Sequence, residues 1–248
     1  MVLLTIAVSI LKRLLTEYLK KIVTCLQKNI LAKYLQEMNL FNFLLTLHVA
    51  AAAIALIAGS YVMFAKKGDK NHKLIGSIYF YAMLTSAVVA LPMSYLHPNY
   101  FLFIIGIFTS YMLITGKFYL QKKKIDSIKI TDWILTITMF LFGSGFIGFG
   151  FYNFLNNNSF GIVFMVFGAV SMLFVYQDYI NFTGKSKIKN YWLTTHIQRM
   201  VGSYIASVTA FIVVNNTILN SILAWLLPTF ILVPLIIKWT RKYKIKST

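Results

Sequence analysis

Apolar and polar positions alternate along this chain in long blocks. Seven blocks are largely apolar: Phe41–Ala65, Leu74–Leu96, Tyr100–Leu120, Thr131–Phe154, Phe160–Phe182, Tyr191–Val214 and Ile222–Lys238. A helix needs about 20 largely apolar residues to cross the hydrocarbon core of a bilayer, and each block is near or above that length. Short polar connections separate them. The pattern predicts an all-α fold, a polytopic membrane bundle of seven transmembrane helices, with one membrane domain over residues 38–248. Composition agrees. The chain has 58% hydrophobic and 12% charged residues and a mean hydropathy of +0.72, where a soluble domain carries about 25% charged residues.

The connections divide into two sets. One set reads KKGDKNHK, KFYLQKKKIDSIK and GKSKIK, with the tail KWTRKYKIKST. The other reads HPN, NNNS and NNTILNS. The first set holds most of the chain's 24 Lys and Arg, the second none. The sets alternate, as seven crossings require. The positive-inside rule makes the basic set cytoplasmic, so the membrane domain starts outside and ends inside. The formal charge of +18 then reads as attraction to anionic lipid headgroups. It does not indicate nucleic acid, because the lysines lie in short loops between spans.

The first 37 residues follow a different pattern. Leu11, Leu14, Leu15, Tyr18, Leu19, Ile22 and Leu26 recur at helical spacing among Lys12, Arg13, Lys20, Lys21, Lys28 and Lys33. This basic amphipathic segment reads as a helix lying in the interface. The topology puts its charges on the outer side. Three explanations stand: a local exception to the rule, a segment that loops back, or a natural start at Met38. Sequencing the amino terminus of the native protein separates them.

Charge inside the hydrocarbon is costly, so ionisable groups in spans are candidates for function. None lies near a span centre. That counts against a proton pump or antiporter, and a retinal protein would need a buried lysine that span seven lacks. Asp178 and Arg199 lie near the basic ends of spans five and six, spaced so that they could pair. The lone cysteine, Cys25, permits no intramolecular disulfide and no cysteine metal site. GSGFIGFG in span four reads as a helix-packing face.

The four histidines form two pairs by face. His72 and His196 lie near the basic end, and His48 and His97 lie toward the other. Imidazole ligates haem iron and transition metals. Span two carries His72 and His97 about 37 Å apart at 1.5 Å per residue, so one helix could serve sites near both faces. Gly76 after His72, and Ala51 and Ala52 after His48, leave room beside each ring.

The stretch LHVAAAAIALIAGSYVMFAKKGDKNHKLIGSIYFYAML, with HIQRMVGSYIASVTAFIVVN at residues 196 to 215, resembles a bacterial multi-pass membrane family known only as a domain of unknown function. A looser likeness is to cytochrome b561-type proteins, which place histidines near both faces. That likeness implies His48, His72, His97 and His196 as axial ligands of one or two b-haems. It implies electron transfer through a redox partner or small donor in a bacterial inner membrane. Seven spans rather than six, and His48 and His97 on adjacent spans, depart from that pattern.

Three readings follow. The first is a b-haem electron carrier or membrane oxidoreductase, with Arg199 on a haem propionate and Asp178 orienting His196 or holding Arg199. The second is a binding or transport protein for a neutral or lipid-like small molecule. The third is an enzyme with a metal held by His72, His196 and Asp178 on the inner face.

The topology has a direct test. In a Cys25→Ser background, a membrane-impermeant maleimide added to intact cells should label Asn157→Cys and leave Lys187→Cys unlabelled until the membrane is opened. The reverse pattern would invert the orientation.

Overall fold

The computed structural model describes the backbone of residues 2–245, and the side chains of residues 35–245 apart from those of Ile125 and Ser221, together with those of Glu17, Lys20, Thr24, Gln27 and Lys28. The described residues form seven α-helices: α1 (Val2–Phe64), α2 (Lys70–Leu96), α3 (Tyr100–Tyr119), α4 (Ile130–Leu155), α5 (Gly161–Phe182), α6 (Tyr191–Val214) and α7 (Ser221–Tyr243), with a short 3-10 turn at Ile125–Ser127. All seven are long and apolar enough to cross a membrane, the first over Leu35–Phe64. No strand occurs among the described residues. The protein is an all-α, multi-pass membrane bundle.

The chain forms two compact units, residues 1–46 and 47–248. The first unit is helical from Val2 onward, with no break before the first span. The apolar side chains of its expected amphipathic face lie outside the described residues; Lys20 and Lys28 of the basic face are exposed. The second unit holds every feature discussed below.

Helix ends follow local chemistry. Gly68 has φ +85°, a left-handed turn that suits glycine. The next residue, Asp69, caps α2 by accepting the His72 amide proton at 2.7 Å. That cap starts α2 at Lys70, four residues before its apolar block. Asn99 caps α3 in the same way, on Leu102 at 3.0 Å. Asp132 accepts from the Lys129 amide at 2.8 Å and from Lys122 Nζ at 2.5 Å, which fastens the α3–α4 connection. At the basic end of α7, the Asn190 side chain donates to Tyr243 O at 2.6 Å and accepts from the Ile245 amide at 2.9 Å. This clamp ties the end of α7 to the start of α6. Arg241 and Lys242 in the last turn favour a longer helix there, so α7 runs to Tyr243, beyond the expected end at Lys238.

The closest packing is α4 with α5, then α6 with α7, α2 with α3 and α3 with α6. The α4–α5 contact is close because glycines stand at its narrowest points. A Cβ on Gly150 would fall 2.7 Å from Gly161 O, and one on Gly168 2.9 Å from Gly143 O. Half of the GSGFIGFG motif therefore packs as expected. The other half does not: nothing lies within 4 Å of a Cβ placed on Gly145 or Gly148, because a helix turns those positions away from the α5 contact. Beside this seam sits an aromatic cluster around Phe101, which meets Trp225, Phe160, Phe164 and Phe167. Outward-facing Ile134, Ile137, Phe140, Leu141 and Phe151 are exposed, as lipid-facing positions are in a bilayer.

The seam gives a contrast. Gly150→Ala should lower thermal stability in detergent by about 1–3 kcal/mol, the usual cost of overpacking. Gly145→Ala should leave it unchanged or slightly raise it. Equal effects from the two would contradict the close α4–α5 approach.

Candidate functional site

A buried carboxylate organises the lower half of the second unit. Asp178 on α5 is fully buried, and so is Arg199 on α6; Nη2 of Arg199 donates to Asp178 Oδ1 at 2.8 Å. Tyr119 donates to the same oxygen at 2.7 Å. The Tyr111 hydroxyl and Thr136, the latter at 3.2 Å, donate to Oδ2. The carboxylate thus accepts from α3, α4 and α6 at once, and a carboxylate has about four lone-pair positions to offer. Asn181 extends the network, donating to Tyr119 Oη and Thr195 Oγ1 at 3.2 Å each. Arg199 also donates to Phe174 O at 3.0 Å. Its guanidinium lies 3.9 Å from the Phe174 ring centre and 4.9 Å from that of Tyr111. Nε and Nη1 have no hydrogen-bond partner, so aromatic faces stand where oxygens would.

The second feature is a cavity of about 440 Å³. It opens between the end of α1, the start of α2, the end of α3, the start of α6 and the end of α7. Its rim carries Lys67, Lys73, Lys117 and His72; its deeper wall includes Gly59, Tyr79, Met200 and Tyr204, with His196 between. Lys67 Nζ donates to Val62 O at 2.6 Å and Met63 O at 2.7 Å and sits 4.7 Å over the Trp239 ring. Those carbonyls are orphans of the last turn of α1, which a lysine satisfies well. Lys67 lies between spans, and burial lowers its pKa from the ordinary lysine value. Lys117 donates to Tyr81 Oη at 3.1 Å and lies 4.0 Å over Phe80. The deep wall is braced by two hydroxyl pairs, Tyr79 with Ser203 at 2.6 Å and Ser60 with Tyr204 at 2.7 Å.

The two sites meet at Gly116. Its Cα faces Arg199, where a Cβ would lie 2.9 Å from the Arg199 Cβ, so α3 and α6 approach closely. Its carbonyl is 2.8 Å from His196 Nδ1. A carbonyl only accepts, so Nδ1 carries the hydrogen and Nε2 of the neutral ring keeps its lone pair.

The structure brings some of the expected residues together and separates others. His72 and His196 line the same cavity, and Nδ1 of His72 is buried with no partner. His48 and His97 are not brought together. His48 Nδ1 bonds Ser86 O at 2.9 Å on α2. His97 caps the same helix, eleven residues and about 16 Å of helical rise further on. Arg199 is not placed for a propionate: it is given to Asp178, not to the cavity. Asp178 in turn does not join His72 and His196. Its oxygens are filled by three hydroxyls and a guanidinium, and no cluster of three or more His, Cys, Asp or Glu able to hold a metal occurs among the described residues.

Several participants escaped sequence reasoning. Tyr111, Thr115 and Tyr119 recur every four residues on one face of span three, a polar stripe that could have marked Asp178's partners. Lys67, Lys73 and Lys117 carried only a topological meaning until five helix ends were seen to surround one cavity. No family model matches the chain, and no characterised protein or solved structure does so either.

The ion pair sets an energetic test. Arg199→Met leaves the Asp178 charge buried without its cation and should cost about 3–5 kcal/mol of stability in detergent. The double variant Asp178→Leu with Arg199→Met should recover a large part of that loss, because neither charge then remains. A single variant as stable as the parent would contradict the paired, buried geometry.

Proposed function

We propose that this protein is a membrane binding or transport protein for a lipid-like small molecule, taken up in the cavity between α1, α2, α3, α6 and α7. The observation that carries this reading is the cavity itself. Its volume lies within the 300–1,000 Å³ typical of small-molecule sites. Its wall is mostly apolar, with a few polar groups collected at one end, and it lies at the basic ends of the helices, which the charge pattern places on the cytoplasmic side. The buried charges nearby, Asp178 and Arg199, are committed to one another, so the protein offers a ligand room and orientation without a charged relay across the membrane.

A second reading is a single haem or related metalloporphyrin in the same cavity. It is favoured by one observation, the His196 Nδ1–H bond to Gly116 O, which leaves Nε2 as a ready ligand and fixes the ring as carbonyl partners do in metal sites. A transmembrane electron path has less support, because His48 and His97 lie apart and provide no second site.

Organic extraction of the purified protein separates these readings. The parent protein should yield a bound lipid-like molecule at close to one per chain. Gly76→Trp, which fills the cavity from a position where a Cβ meets nothing within 4 Å, should yield none. An oxidised and dithionite-reduced absorption spectrum of the same sample tests the second reading. A Soret band lost on His196→Ala would establish it in place of the first.

A further inference from the structure

We propose that the cavity selects an amphiphile with an oxyanion head, a carboxylate or a phosphate ester on an acyl chain, the head lying against Lys67, Lys73 and Lys117 and the chain running toward Gly59 and Tyr204. The inference rests on the reading of this cavity as a ligand site and specifies what that site takes.

Charge is the first argument. Three lysines line the cavity and no carboxylate does. Of the acids nearest in the fold, Asp132 is paired with Lys122 and Asp178 with Arg199; Asp69 caps α2 through the His72 amide and does not line the cavity, so its single charge stands against three lysines. Lys67 and Lys117 are held by carbonyls and a tyrosine hydroxyl. These position each ammonium but do not neutralise it. The partial burial of Lys67, which lowers its pKa, is a desolvation cost that an oxyanion at the rim would offset.

Polarity along the cavity is the second argument. The lysines sit at helix ends, and Lys73 and Ser77 at the mouth are exposed. Beyond the turn of α1 that holds the Lys67 ammonium, the lining includes Gly59, Tyr79, Met200 and Tyr204. On α6 the lining runs from Leu193 to Tyr204, about 16 Å at 1.5 Å per residue. A site this long, charged at one end and apolar at the other, matches a head and chain aligned with the bilayer, with the head at the interface. A neutral amphiphile would leave the lysines unanswered, and a free oxyanion would leave the apolar depth unused.

The test is binding to the full-length protein in maltoside detergent, followed by microscale thermophoresis. Four probes are used: dihexanoyl phosphatidic acid, dihexanoyl phosphatidylcholine, dihexanoylglycerol and inorganic phosphate. Phosphatidic acid should bind about tenfold or more tighter than the zwitterionic and neutral probes, a gap of about 1.4 kcal/mol. Millimolar phosphate should neither bind nor displace it. Lys67→Gln, Lys73→Gln and Lys117→Gln should each weaken phosphatidic acid roughly fivefold, within the range of single exposed ion pairs, and leave dihexanoylglycerol unchanged. Equal affinity for charged and neutral probes would overturn the oxyanion head. So would a preference that survives the three lysine variants together, or phosphate competing as well as the lipid. In each of those cases Gly76→Trp should still abolish binding, and the cavity reading stands. Undiminished binding of every probe to Gly76→Trp, or no binding of any probe to the parent, would overturn the cavity reading itself.

Discussion

The Asp178 carboxylate is the constraint on which the rest of this bundle depends. Lipid tails are as apolar as leucine, so apolar burial gives helices in a bilayer little reason to choose one partner over another. A buried charge does give a reason, because its cost falls only when its partners stand in place. Asp178 takes hydroxyls from Tyr111 and Tyr119 on α3 and Thr136 on α4, and the guanidinium of Arg199 on α6. One carboxylate thereby sets the mutual positions of four helices. The absence of a side chain at Gly116 lets α3 and α6 close up around it, and the same residue's carbonyl turns His196 toward the cavity. The cavity is in this sense a consequence of the ion pair, although the ion pair does not line it.

The cavity and the network divide the polar chemistry of the protein between them. Inside the bundle, Tyr111, Tyr119, Thr136 and Arg199 converge on Asp178. At the basic end, Nδ1 of His72 has no partner and Lys73 is exposed beside the cavity, while Lys67 and Lys117 are held by carbonyls and the Tyr81 hydroxyl. The cavity differs from the network in its balance of charge: three lysines line it and no carboxylate does. Lys67, in a loop that marks topology, is thus also part of the cavity wall.

Much of the fold was legible in the sequence, because a span is a local property: a block of apolar residues long enough to cross. The boundaries moved where a side chain intervened, as when Asp69 capped α2 early and Asn190 held the end of α7. The pairing of Asp178 with Arg199 was also legible, since two opposite charges in apolar surroundings have few alternatives. The tyrosines around them were not, because a tyrosine in a membrane helix is ordinary until its hydroxyl is seen to point at an acid. The histidines split the same way. His72 and His196 share a cavity because successive spans bring their ends to one side. His48 fails to meet His97 because its depth in α1 sets it against Ser86, and depth within a span is where residue counting is weakest. The cavity itself, built from five helix ends, has no local signature.

The central claim is that an amphiphile occupies this cavity in the membrane. The most direct measurement is photo-crosslinking with a diazirine-bearing acyl lipid in native membranes, followed by peptide mapping. The account predicts adducts concentrated on the cavity wall, around Tyr79, Met200 and Tyr204, and suppressed by excess unlabelled lipid. Adducts spread evenly over the lipid-facing surface at Phe140, Phe151 and Phe230, with none enriched in the cavity, would contradict it.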